Sequence, residues 1–600
     1  MLISFTVSVS FADSNYGDMQ SIVNFLAANK DKEPGISYVA TAGDLKGVLL
    51  PTSYYSTAEY WGEYVCNISG NNCTVTDQYN PSDYTLVPID GSPGAELQTE
   101  RVNVDSGSNI YDAAVWQLAL TVAGTKGLKG PDNNSLFEVA NNQNLFLRLG
   151  HNGDASKPPI SGEDRGVTTP EGVFEYNGEP ITNPDHAYYF RMVARDWLST
   201  DPFINTNYSK YITAKKLPVD NPLYKKGKIT WTDWKPITGE NSWAFLIGPL
   251  QSAYLQSIQS GDQGYVPFNS LPVQNAIKVL YAFSRMQSEI GGVYYSVKGS
   301  LSNYGQELVD PYTVSTENNA SLLSGLLILK NILTKGNSKD SKKYLNVIDV
   351  MINGGVMPNQ KMTEGLLNYF KKYAWDAKSG DFYQSGFANK PGKEKWHSVP
   401  EPKAVDAITW TVTVLGQPLI DSWYGFGASY DIWNKMKLWG GYYDDIGKLW
   451  GVGYSSQDGN KTGIHSKNGI MSAEWTAGAI NMLKVLISQY GLQEENHPVV
   501  KKYVANLKAD LQSMEEHISS LRVTQYSSIR QFDSVRPKNY DDLVSLGKNQ
   551  QAYLYANKRY FIPFGWYANP LPSNASTSWA LLMNYSFNPF TLGGGFKPNF

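Results

Sequence analysis

A recurring helix start constrains this chain more than any other feature: a carboxylate followed by a run of small and apolar residues at helical spacing. It occurs as TGENSWAFLIGPL with Glu240, SNIYDAAVWQLALTVAG with Asp112, VSTENNASLLSGLLILK with Glu317, KAVDAITWTVTVLG with Asp406 and MSAEWTAGAINMLKVL with Glu474. In PSNASTSWALLMNYSF, Ser578-Trp579-Ala580 aligns with Ser242-Trp243-Ala244, which puts Ser576 where the others carry an acid. A single such acid has a local explanation, because Thr238 can serve as an N-cap and a helix dipole favours Glu240 in a first turn in any protein. Six similar starts indicate a repeat.

Between these starts lie helical patterns of ordinary amphipathic character: NSLFEVANNQNLFLRL, LPVQNAIKVLYAFSRMQ, SKKYLNVIDVMI with TEGLLNYFKKYAW, ASYDIWNKMKLW and HPVVKKYVANLKADLQSMEEHISSL. These read as outer helices, and the small-residue segments read as inner ones packed on several sides. The alternation predicts an all-α fold, an (α/α)6 toroid of six helical hairpins, with a strand-containing N-terminal region and loop insertions. Its inner N-termini would line one central cavity with acids.

The chain has 600 residues, 42% of them hydrophobic, and no linker rich in Pro, Gly or Ser. We therefore expect one domain over 105–600 with an insertion at about 151–235, preceded by a flap or edge region over 13–104. In the insertion, GVFEYNGEP and HAYYFRMVARDWL read as strands. The formal net charge of -4 with interspersed signs argues against a nucleic-acid partner. The opening MLISFTVSVSFADS reads as a signal peptide remnant over 1–12, with small residues at Ser10 and Ala12. It is too short to span a bilayer, and export to the periplasm or the medium is expected. Cys66 and Cys73 in CNISGNNC suit a short hairpin disulfide in an oxidising compartment or two free thiols in a reducing one.

Walker A and G-x-S-x-G motifs are absent, and GFGASY lacks the third glycine of a dinucleotide fingerprint. The histidines have no metal spacing, so no metal or cofactor is expected, although loop carboxylates such as Asp444 and Asp445 leave room for a calcium ion. What remains is carboxylates and aromatics. The 40 Tyr and 16 Trp crowd polar loops such as KITWTDWKPITGEN, GGYYDDIGKLWGVGY and FIPFGWYANPLP, where rings serve either core packing or sugar stacking.

Carboxylate pairs suit glycoside hydrolysis, which needs one acid for the leaving oxygen and one carboxylate for water or the sugar. Packed helix axes lie roughly 8–10 Å apart. Inverting glycosidases hold their carboxyls about 6.5–9.5 Å apart, so neighbours in the ring fit better than opposite members. The catalytic candidates are Glu240, Glu317 and Asp406. Substrate-binding candidates are Asp112, Trp234, Asn241, Trp243, Asn318, Tyr443, Asp444, Glu474 and Trp475, and the loop acids Asp262, Asp310 and Asp445 stand in reserve.

The order TGENSW, STENN, AVDAITW, SAEWTAG and the closing GWYANPLPSNASTSWALLMNYSFNPF resembles the six-hairpin glycosidase superfamily, in particular its bacterial endo-β-1,2-glucanase and glycoamylase-like members, over roughly residues 105 to 590. The resemblance implies a carboxylate-dependent reaction on a poly- or oligosaccharide in a central cleft. Two other readings stay open. A polysaccharide lyase on the same ring would draw on Tyr188, Tyr189, Arg191 and Arg195, and a non-catalytic sugar-binding or effector scaffold would use the acids only as caps.

Overall fold

Inner-layer sequences carry Ala, Gly, Ser and Thr where two helices must approach closely, and the computed structural model shows what that closeness builds. The structure describes residues 16–55, 64–66, 73–75, 106–149, 168–169, 172–173, 175–176, 179–180, 191–199, 214–216, 226–233, 236–298, 300, 309–357, 360–458, 469–493, 497–527, 543–558 and 560–600. Both the signal-peptide reading and Trp234 lie outside them. For Cys66 and Cys73, the backbones face each other across a two-stranded antiparallel ladder.

The helices used below are α1 (Met19–Ala27), α2 (Ile110–Thr125), α3 (Leu136–Asn141), α4 (Thr238–Ser242), α5 (Gly248–Gln259), α6 (Leu271–Met286), α7 (Thr316–Gly336), α8 (Ser341–Asn353), α9 (Val405–Leu415), α10 (Gln417–Tyr424), α11 (Ala428–Gly440), α12 (Ala473–Gly491), α13 (Pro498–His517) and α14 (Asn574–Asn584). A π-helical turn, Trp243–Ile247, joins α4 to α5. Six inner units pack in a closed cycle: α2 on α5, α4 with its π turn on α7, α7 on α9, α9 on α12, α12 on α14, and α14 back on α2. Two glycines let the walls meet. A Cβ on Gly248 would lie 2.9 Å from the Ala114 carbonyl oxygen, and one on Gly325 would lie 2.7 Å from Leu246 Cβ.

The second layer is amphipathic, with α3, α6, α8, α10 with α11, and α13 each packed on the inner helix that precedes it or its neighbour. Among the described residues, no outer helix follows α14. Its flank is taken by α1 from the far N-terminus, which packs on α14 and α2 and buries Ile22, Val23, Phe25 and Leu26.

Strands form a collar at one end of the ring. β1 (Gly107–Asn109), β2 (Met192–Arg195) and β3 (Ile229–Asp233) make an antiparallel sheet with β2 in the middle, and β4 (Thr313–Ser315), β5 (Ser385–Ala388) and β6 (Trp396–Val399) make another with β5 in the middle. The residue capping every inner helix is extended and β-paired. Asn109 and Ser315 lie in these sheets, while Ile237 bridges Ser296, Ala404 bridges Ser455, Ser472 bridges Val452 and Ala556, and Ser573 bridges Tyr54. An N-cap residue needs β-region backbone angles, so a strand feeding directly into a helix satisfies both elements. All six acid-bearing or acid-equivalent first turns therefore start from one collar.

Candidate active site

Cap chemistry sets the first turns. Asn109, Ser315, Ser472 and Ser573 accept backbone N–H groups of their own helices through their side chains. Ile237 and Ala404 have no such side chain, and other groups take the role. At α4, Asn318 Oδ1 reaches over from α7 to accept the Gly239 N–H at 2.6 Å. At α9, Asp406 Oδ1 accepts the Ala407 N–H at 2.7 Å. Thr238 is not the cap that its position suggests, because its hydroxyl donates instead to the Tyr294 carbonyl at 2.7 Å.

Above this collar opens a cavity of about 750 Å³ whose lining includes all five helix-start acids: Asp112, Glu240, Glu317, Asp406 and Glu474. Its floor is aromatic: Trp243 and Trp410 line it, and Trp579 is buried against both. Trp243, Trp410 and Trp579 each lie six residues past their cap residues Ile237, Ala404 and Ser573, so alternate inner helices send an indole to the same level. Those rings meet with centroids 5.5 to 6.3 Å apart, and Phe590 packs beneath all three. At the matching depth the intervening helices carry Val115, Ser321 and Gly478, whose smaller side chains make room. Tyr54, Trp475, Tyr555, Phe564 and Trp566 line the cavity as well. Tyr54 meets Tyr555 edge-to-face at 5.5 Å, and Trp566 Nε1 donates to the Tyr555 hydroxyl at 3.3 Å.

Gathering five carboxylates in one place opposes their ionisation. Burial first, then the charges of Asp406 and Glu240, push Glu317 well above the ordinary glutamate range, against the pull of a hydrogen bond from Ser321. Asp406 is pushed up to about 7 by burial, opposed by backbone N–H groups. Asp112 also reaches about 7, by burial and Glu240, with Ser53 and Arg191 pulling it down. Glu474 rises to about 8 through burial and the charge of Asp112, while the Tyr111 hydroxyl favours its anion. Hydrogen bonds fix the two glutamates: Asn318 Nδ2 donates to Glu317 Oε2 at 2.6 Å, Ser321 Oγ to Glu317 Oε1 at 2.9 Å, and Tyr111 to Glu474 Oε1.

Of the other expected residues, Trp243, Asn318 and Trp475 line the cavity, and so does the loop acid Asp310, which pairs with Lys390. Asn241 does not. It is buried, and its side-chain amide turns back to the Ile237 carbonyl at 2.9 Å. Tyr443 and Asp444 are likewise not part of the lining. They belong to a hairpin, β7 (Gly441–Tyr443) with β8 (Leu449–Val452), that follows the outer-layer helix α11. There the Tyr443 hydroxyl donates to the Lys437 carbonyl and Asp444 accepts from Lys448 N and Trp450 Nε1, which closes its own turn. Asp445 lies in the same hairpin turn, and Asp262 sits in the turn after the C-terminal end of α5, opposite the collar. Trp231, one ring of a loop read as a stacking platform, is buried and donates to the Leu149 carbonyl.

Sequence reasoning missed Ser53, Tyr54, Tyr295, Gln384 and Tyr555, all cavity residues contributed by the collar. Their sequences carry no helix-start signal, since a bridge from Tyr54 to Ser573 and backbone hydrogen bonds of Ser53 with Gly107, Tyr295 with Thr313, Gln384 with Thr316 and Tyr555 with Leu571 bring them in. Arg191, noted as a lyase candidate, is also in the lining, at the edge of β2, whereas Arg195 is occupied by Asp31 at 2.5 and 2.8 Å. Tyr188 and Tyr189 fall outside the described residues. Among the described residues no cluster of His, Cys, Asp or Glu has metal-binding geometry, and no helix is long and apolar enough to cross a membrane.

The chain is similar to solved carbohydrate-active proteins. One is a sugar epimerase from a ruminal bacterium, at 8% identity and a TM-score of 0.37, covering 80% of this chain and 88% of that one. A family 76 α-mannanase of Bacteroides thetaiotaomicron follows at 9% identity and 0.34, covering 80% and 89%. A family 105 glycoside hydrolase of C. acetobutylicum matches at 12% identity and 0.28, covering 56% and 80%. No protein-family model and no curated protein matches the chain. Scores this low leave the chemistry to be read from the cavity itself.

Proposed function

We propose that this chain is a glycoside hydrolase acting on a neutral poly- or oligosaccharide, a β-glucan foremost, and that it is exported. The observation that carries the reading is five carboxylates converging on one aromatic-floored cavity. Cavities of this size suit a few sugar rings, with aromatic faces for the apolar C–H surface and carboxylates for hydroxyls and chemistry. The closed inner cycle reads as an (α/α)6 toroid over 105–600, with α1 of the N-terminal region as the outer partner of α14 and Arg191 of the insertion at the cavity wall.

Glu317 takes the role of general acid. Burial and the charges of its acidic neighbours favour its protonated form, which can pass that proton to the glycosidic oxygen as the C–O bond breaks. Asp406, on the adjacent inner helix and anchored to the Ala407 N–H, takes a proton from the water that attacks the anomeric carbon. Glu240 flanks Glu317 on the other side and raises its proton affinity. Asp112 and Glu474 bind sugar hydroxyls.

A lyase reading draws support from Arg191 in the lining, which would suit a uronate. It also needs a base, and the hydroxyls of Tyr111 and Tyr555 are pushed well above the ordinary tyrosine range by burial, with Glu474 adding to both. Acids that hold these phenols protonated make them poor bases, so hydrolysis is the better fit. The test is a panel of neutral glucans and uronate-containing polysaccharides, with reducing ends and the absorbance of unsaturated products followed together. Reducing ends from a neutral glucan support hydrolysis. Unsaturated products would replace it with the lyase, and silence across the panel with a binding scaffold.

A further inference from the structure

Two cavity carboxylates are held by the same kind of chain. Trp243 Nε1 donates to Ser321 Oγ at 3.1 Å, and Ser321 Oγ donates to Glu317 Oε1 at 2.9 Å. Trp579 Nε1 donates to the Tyr111 hydroxyl at 2.8 Å, and that hydroxyl donates to Glu474 Oε1. Trp243 lines the floor and Trp579 is buried against it; both lie six residues past their caps, and each reaches a hydroxyl on a neighbouring inner helix.

An indole N–H can only donate, whereas a hydroxyl both donates and accepts. Once the indole has filled a lone pair of the hydroxyl, the hydroxyl hydrogen is left to point at the carboxylate, and donation into the hydroxyl strengthens its own donation onward. We propose that Trp243–Ser321 and Trp579–Tyr111 are matched positioning relays, each fixing a hydroxyl hydrogen on one carboxylate, Glu317 and Glu474 respectively. The aromatic floor thus also sets the direction of hydrogen bonds at the rim.

The surroundings make this directed hydrogen consequential. Glu317 faces Asp406, Glu240 and Glu474 from other inner helices, and Glu474 faces Asp112 and Asp406. All of these disfavour the anion. Against them stand Ser321 and Asn318 at Glu317, and Tyr111 at Glu474. Resting on the hydrolase reading, the Ser321 relay stabilises the anion that Glu317 becomes after its proton has moved to the leaving oxygen. No bond of the relay itself is made or broken in that step.

The experiment is an infrared titration of protonated carboxyl groups, assigned with Glu317→Gln, alongside the pH profile of kcat/KM. In Ser321→Ala the Glu317 midpoint should rise by about one pH unit, the size of one hydrogen bond to an ionised carboxylate. The alkaline limb of the profile should move with it. Ser321→Thr, which keeps a hydroxyl, should restore both, and Trp243→Phe should give a smaller shift in the same direction. Tyr111→Phe should raise the Glu474 midpoint in the same way. Unmoved midpoints in folded Ser321→Ala and Tyr111→Phe would overturn the relays. Absence of turnover on every glycan would sink the hydrolase reading alone, because the infrared midpoints decide the relays without a substrate.

Discussion

Asn318 Oδ1 accepts the backbone N–H of Gly239 at 2.6 Å, so a side chain of α7 caps the helix that carries Glu240. The same amide donates through Nδ2 to Glu317, which ties two neighbouring cavity acids to one group. Asn318→Ala should leave the Gly239 N–H buried without its acceptor and cost about 1–3 kcal/mol of stability. Gly239→Ala should act alike, since its Cβ would lie 2.7 Å from Asn318 Oδ1. Chemical denaturation checks both, and wild-type midpoints would mean that the contact does not hold the two helices.

The acids should make the protein more stable in mild acid than in mild base. Asp112 and Asp406 at about 7 and Glu474 at about 8 lie above their unfolded values of roughly 4. The folded state therefore binds more protons than the unfolded chain between those limits, and the stability these groups give is lost as pH rises through about 7 to 8. Asp31 and Asp376, held below the ordinary range, oppose this only in stronger acid. We expect a higher denaturation midpoint at pH 5 than at pH 8, and a flatter profile when Asp112→Asn, Asp406→Asn and Glu474→Gln are combined. A midpoint that climbs steadily toward pH 8 would contradict the raised proton affinity that burial, and at Asp112 and Glu474 also neighbouring charge, gives these acids.

Aromatics buried behind the floor and aromatics of the wall should separate by phenotype. Trp579 is fully buried, so Trp579→Ala should cost about 3–5 kcal/mol of stability. Trp566 is only partly buried at the cavity wall, and Trp566→Ala should raise KM by about tenfold with a small effect on stability. Thermal melts and initial rates distinguish them, and a large loss of stability at Trp566 with unchanged KM would make it a core residue.

Much of this arrangement was legible because an acid stands two or three residues past the cap of five inner helices, small residues follow it, and a tryptophan stands six past the cap of three. Those offsets brought Asp112, Glu240, Glu317, Asp406 and Glu474 together in one cavity as expected. What was hidden depends on partners remote in sequence. Nothing near Met19–Ala27 says that it will pack against α14, more than five hundred residues on. Thr238 read as a cap because hydroxyls usually cap, yet Asn318 arrives from another helix to do it. Tyr443 and Asp444 misled because an aromatic and acidic loop looks the same whether it borders a cavity or closes a hairpin behind an outer helix.

The account turns on Glu317 as the proton donor, and the dependence of its loss on the leaving group tests that most directly. Turnover of wild type and Glu317→Gln should be compared on the best polysaccharide of the panel and on a dinitrophenyl glycoside of the same sugar, whose leaving group needs no proton. We predict a loss of about 10²–10⁴-fold on the polysaccharide and little loss on the activated glycoside. Equal losses on both, in a folded variant, would contradict the assignment.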